Sequence, residues 1–185
     1  NAEGEDAFQK LLFAEDTARG FAFIELCRKR YDVIVMNPPF GAGSINTEDY
    51  YKSVYPNWGK NILGCFFYRM LGLLTDNGNT GAIFDRTVAV KSSYEKFRLE
   101  NFIGKLSYII DTGWGVLDAN VETTAYVLRK KSIGRCLCFD LRDSVSKDVE
   151  IINQLKDKTF IIHDSEDFRK LPNSVIGYYF EESVI

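Results

Sequence analysis

Two adjacent prolines close a short apolar run in this chain. Residues 31–36 read Tyr-Asp-Val-Ile-Val-Met. That β-branched stretch has strand length and predicts a strand buried on both faces. It stops at Asn37-Pro38-Pro39-Phe40. Two prolines forbid strand pairing and helix continuation at that point, so the chain must turn there.

The flanking segments predict an α/β architecture. Residues 5–30 repeat Ala7, Phe8, Leu11, Leu12 and Phe13, then Phe21, Phe23, Ile24 and Leu26, near helical spacing. Arg28, Lys29 and Arg30 suit a helix C-terminus. Residues 41–60 hold Gly, Ser, Asn and the aromatics Tyr50, Tyr51, Tyr55 and Trp58. A connection of that length is functional or partly helical. Residues 61–75 predict a buried helix ended by Asp76-Asn77-Gly78. Strands follow at 80–84 and 106–111, with a helix between them that Ser92 and Ser93 can cap. Residues 122–129 and 135–140 alternate and predict an antiparallel hairpin. A helix over 144–155 and apolar runs at 159–162 and 175–180 complete the chain. The expected sheet is parallel first and antiparallel at its end. Ligands of such sheets bind beyond the carboxyl ends of the strands, where Asn37 to Phe40 lie.

The tetrapeptide has a definite chemistry. Pro38 and Pro39 fix φ and remove two donors, leaving carbonyl acceptors in a stiff loop. Asn37 adds a side-chain acceptor, and Phe40 a flat apolar face. Converging acceptors beside an aromatic plate suit a planar ring with an exocyclic amine. The acceptors take the N–H bonds and turn the nitrogen lone pair towards an electrophile. A base inside a duplex would have to flip out to reach them. The same residues also read as a plain stiff turn.

Composition narrows the function classes. The chain has 185 residues, with 23 Lys+Arg, 26 Asp+Glu and a net charge of −3. A free-standing DNA-binding module would normally be basic. The length suits one domain burying roughly 70% of its unfolded surface. No stretch approaches the ~20 apolar residues of a membrane span. Cys27, Cys65, Cys136 and Cys138 form no CxxC pair and His163 is distant from them, so no metal site is expected. The cysteines are expected to be reduced and buried. One histidine far from any serine or cysteine motif argues against a Ser-His or Cys-His nucleophile.

Residues 31–41 (YDVIVMNPPFG) resemble motif IV of the amino-group DNA methyltransferases. The resemblance continues through Asn61-Ile62-Leu63, residues 92–98 (SSYEKFR), 113–118 (GWGVLD) and 121–128 (VETTAYVL). It is closest to the adenine-specific enzymes of BREX-type phage defence and related Eco57I-like restriction–modification systems, and spans roughly residues 31–130. Residues 168–180 resemble a stretch leading into a target-recognition region. The resemblance implies a partial Rossmann-like methyltransferase sheet. It implies transfer of a methyl group from S-adenosylmethionine to the N6 amine of a flipped adenine in double-stranded DNA, in a bacterial or archaeal cytoplasm. By resemblance Asn37 and the Pro38 carbonyl orient the amine, Pro39 stiffens the loop and Phe40 stacks on the base. Asn61 would lie near the cofactor's adenosine, while Thr123 and Thr124 read mainly as packing residues.

The family's cofactor site needs an earlier strand with a glycine-rich loop. The 36 residues before Asn37 contain Gly4 and Gly20 and no GxG, so that half of the site is expected to be missing and this chain inactive alone. The chain divides into a helical lead-in (1–30), a catalytic-loop half (31–142) and an extension towards target recognition (143–185). Strand 31–36 would then be an exposed edge, covered by the helices of 5–30 or by a second copy of the chain. Two other readings stay open: an RNA or protein-amide methyltransferase sharing the loop, and a non-catalytic interaction module derived from such an enzyme.

Overall fold

The computed structural model describes residues 2–41, 43–56, 61–118, 120–131 and 134–180, with side chains at residue 10 and from residue 12 onward. Trp58 lies outside the described residues. Helix α1 (Ala2–Arg28) leads into strand β1 (Tyr31–Met36). After the proline loop come α2 (Glu48–Val54), α3 (Ile62–Leu73), β2 (Leu74–Asp85), the single turn α4 (Thr87–Val90) and α5 (Glu95–Asn101). Strands β3 (Leu106–Gly113), β4 (Thr123–Arg129) and β5 (Arg135–Asp140) follow, then α6 (Lys147–Asp157) and β6 (Ile161–Asp164).

The strands form one sheet in the order β1-β2-β4-β3-β5-β6. β1 pairs parallel with β2, and β3 with β5, while β4 lies antiparallel between β2 and β3. β6 closes the far edge antiparallel to β5. The mixed α/β sheet is as expected, but the hairpin is not. β4 and β5 flank β3 on opposite sides instead of pairing with each other. The link after Arg129 crosses the start of β3, where Arg129 N donates to the Lys105 carbonyl at 3.0 Å. A short link spans either a hairpin or one intervening strand, and β4 takes the second course. It is mostly buried, as an interior strand must be.

α3 packs Leu63, Phe67 and Met70, one helical face at i, i+4 and i+7, into the core. Phe67 sits against Phe84 of β2 and Phe97 of α5, with ring centroids 5.7 Å and 5.1 Å away. Phe102 and Tyr126 extend this aromatic cluster at 4.6 Å. The turn signal Asp76-Asn77-Gly78 does not end α3. It forms a bulge within β2, where the register jumps from Tyr31↔Leu74 to Val33↔Asn79. Ser92 and Ser93 form a 3-10 turn, and Tyr94 precedes α5 without a side-chain cap.

β1 differs from expectation on two counts. Ile34 and Met36 pack against the core, but Val33 and Val35 are 64% and 76% exposed, so the strand is buried on one face only. α1 does not cover it. No described side chain of α1 is buried, and Phe13, Phe21 and Phe23 face solvent. Contacts near its end include Arg69 donating to the Cys27 carbonyl and Tyr31 donating to the Leu26 carbonyl. β1 therefore ends the sheet with its outer edge bare among the described residues.

Candidate functional site

The proline loop leaves β1 at the carboxyl end of the sheet. Pro38 is buried, Phe40 is half-buried against the core, and Asn37 and Pro39 are exposed. Pro38 thus anchors the loop while Asn37 faces solvent. Gly41, at φ +97°, turns the chain back, and its carbonyl accepts from Ile62 N at 3.3 Å. That bond ties the loop exit to the start of α3. Gly43 lies under Tyr51, where a Cβ would come within 2.7 Å of the ring.

Asn61 serves this same junction. Its side-chain oxygen accepts from Leu63 N at 3.0 Å, capping α3, and its amide nitrogen donates to the Tyr94 hydroxyl at 2.5 Å. Burial raises the Tyr94 hydroxyl above its ordinary value, although the Asn61 bond works the other way.

An open cleft of about 510 Å³ is lined by Asn37, Pro38, Pro39, Phe40, Leu117 and Asp118. The glycine-bearing loop 114–122, between β3 and β4, thus forms the wall opposite the prolines. The resemblance at 113–118 assigns Leu117 and Asp118 no individual role. The usable signal was position: the loop follows β3 at the same carboxyl end. The aromatics Tyr50, Tyr51 and Tyr55 do not close over this cleft. With Cys65, Phe66 and Arg69 they line a separate hollow of about 200 Å³.

A charged cluster lies at the neck of loop 114–122. Asp111, 2% exposed, accepts from Arg86 Nε at 2.8 Å and from the Tyr178 hydroxyl at 2.9 Å. Burial works against the Arg86 charge, but the bond to Asp111 holds its guanidinium above the ordinary value. Arg142 forms a two-point pair with Asp140, donating from Nε and Nη2. Burial works against the Asp140 charge, yet this pairing keeps its carboxyl below the ordinary value. Thr123 and Thr124 are buried and hydrogen-bonded to Thr112 and Asp111, so they pack the strands and do not line the cleft.

The other reactive side chains lie elsewhere. Cys136 and Cys138 are buried with sulfurs 3.9 Å apart on β5. His163 Nε2 lies 2.8 Å from the Tyr178 carbonyl, the geometry of a donor. Among the described residues no group of three or more His, Cys, Asp and Glu could hold a metal ion. No described helix is long and apolar enough to cross a membrane.

A family model described as Eco57I restriction-modification methylase matches residues 2–115. The adenine-specific methyltransferase BrxX of Escherichia coli O9:H4 (strain HS) is 27% identical over 164 residues, covering 82% of this chain and 13% of that protein. The chain therefore spans a small part of that relative's length. A type I restriction-modification methyltransferase subunit from Streptococcus thermophilus superposes with TM-score 0.54 and 18% identity, over 77% of this chain and 36% of that one. The type ISP restriction-modification enzyme LlaBIII, solved bound to DNA, superposes with TM-score 0.56 and 16% identity, over 76% of this chain and 13% of that one. These two likenesses establish the fold.

Proposed function

The chain belongs to the Eco57I restriction-modification methylase family, and from that premise we propose that it is the catalytic-loop half of a DNA adenine-N6 methyltransferase. The observation that carries the reading is the placement of Asn37 to Phe40 on an open cleft at the carboxyl end of the sheet. The Asn37 side-chain oxygen and the Pro38 carbonyl accept the two N–H bonds of the adenine amine, which directs its lone pair outward. Phe40 offers its open face to the flipped base, and Pro39 keeps the turn stiff.

The donor set fits an activated methyl donor. The cleft lining holds acceptors and an aromatic ring, with one carboxylate, Asp118, on the far wall. S-adenosylmethionine would supply the electrophilic methyl group, and Asn61 would contribute to its adenosine side through its remaining N–H.

The bare edge of β1 receives the cofactor-binding strands of the intact protein, or in their absence a second copy of the chain. Residues 1–30 serve as the helical lead-in, 31–142 as the catalytic half, and 143–185 as the passage to target recognition. Double-stranded DNA is the substrate, in a bacterial or archaeal cytoplasm. The basic surface that grips DNA lies outside this acidic chain.

Isothermal titration with S-adenosylmethionine tests the division of labour. This chain alone is expected to give no binding at micromolar concentrations. Micromolar affinity would contradict the half-site reading.

A further inference from the structure

We infer that Tyr178 and Arg86 are positioning residues, which act through Asp111 to hold loop 114–122 so that Leu117 and Asp118 face Asn37; the inference rests on the proposed reading of that cleft. Both ends of the loop meet at one place. At its start, Asp111 receives the Arg86 Nε and Tyr178 hydroxyl bonds, and Leu141 N donates to the Asp111 carbonyl at 2.9 Å. At its end, Arg86 N donates to the Glu122 carbonyl at 2.9 Å, and Arg86 Nη1 lies 3.8 Å from the Glu122 carboxylate. Thr112 Oγ1 bonds the Thr123 carbonyl at 2.7 Å across the neck. The tip is different: Trp114 is 54% exposed and Asp118 faces solvent. The position of the tip over the cleft is therefore set at the neck.

Tyr178 comes from far along the chain. Its segment has no regular secondary structure, yet Ile176 and Tyr178 are buried. Ile176 N donates to the Ala89 carbonyl at 2.9 Å, and Arg98 donates to the Asn173 and Ser174 carbonyls just before it. The C-terminal segment is thereby fixed to α4 and α5, and delivers one hydroxyl to the loop neck. Removing that hydroxyl deletes a bond to a buried carboxylate without opening a cavity.

Two measurements test this with Tyr178→Phe and Arg86→Lys. The first is amide hydrogen exchange of the 185-residue chain. Exchange in loop 114–122 should rise at least tenfold in both variants, with peptides of β1 and α3 unchanged and both variants folded at the assay temperature. The second is methylation of unmodified genomic DNA by the protein that contains this chain. The KM for DNA should rise at least fivefold, a change that loss of folded enzyme does not produce. Wild-type loop exchange with wild-type KM in both variants overturns the inference. Asn37→Ala runs beside them. Its retention of activity would contradict the reading of the cleft itself, whereas an inactive Asn37→Ala with unaltered Tyr178→Phe contradicts the positioning role alone.

Discussion

Tyr178 donates its hydroxyl to the Asp111 carboxylate at 2.9 Å, joining positions 67 residues apart at the neck of the loop that faces Asn37. Burial and the neighbouring Asp111 charge hold that hydroxyl protonated well above its ordinary range. The sign of the pH effect follows. With the folded value raised, the contribution to stability is complete below the ordinary tyrosine value of about 10 and declines as pH rises beyond it. Melting temperatures between pH 8 and 11 should fall less steeply for Tyr178→Phe than for the wild-type chain.

Arg98 is fully buried and donates to four backbone carbonyls, those of Val88, Lys91, Asn173 and Ser174. Burial lowers its guanidinium below the ordinary value. Arg98→Met keeps a long apolar stem but leaves the carbonyls without this donor. At about 1–3 kcal/mol for an unsatisfied buried group, the variant should lose at least about 3 kcal/mol in urea unfolding. A midpoint unchanged from wild type would show that water replaces the guanidinium.

Phe67 lies at the centre of the aromatic core, within 6 Å of the Phe84, Phe97 and Phe102 rings. Phe67→Ala should cost about 3–5 kcal/mol by loss of contact and creation of a cavity. Denaturant titration followed by circular dichroism measures it.

Val33 and Val35 make the exposed face of β1 apolar, at an end of the sheet that is bare among the described residues. Such an edge invites pairing, and an exposed lysine there opposes it. Val35→Lys should lower the sedimentation-derived mass of the chain at high concentration towards that of one copy. Identical sedimentation of variant and wild type would argue against pairing through this edge.

The strand and its proline stop were legible because both rest on local rules: β-branched residues over strand length, then two residues that cannot pair. The position of the stop at the carboxyl end of the sheet followed from the strand that precedes it. The place of β4 was not legible, because a link of this length serves a hairpin or a crossing of one strand equally well. The exposure of Val33 and Val35 was missed because a run apolar at both parities looks the same whether its second face is covered or bare. Leu117 and Asp118 belong to the segment 113–118 that carries the family resemblance, but nothing in that segment sets them against the proline loop. Their opposition to Asn37 depends on Arg86, Asp111 and Tyr178, whose meeting is a tertiary fact with no local pattern. The Asn61 side chain caps α3 and bonds Tyr94, contacts that depend on where the two segments meet and have no local pattern.

The most direct test is transfer of a labelled methyl group from S-adenosylmethionine to DNA by the protein that contains this chain, with the product base identified by mass spectrometry. The wild-type protein should yield N6-methyladenine, and Asn37→Ala should yield none while keeping the wild-type circular dichroism spectrum. Undiminished N6-methyladenine from Asn37→Ala would contradict the assignment of Asn37 to Phe40 as the amine-orienting site.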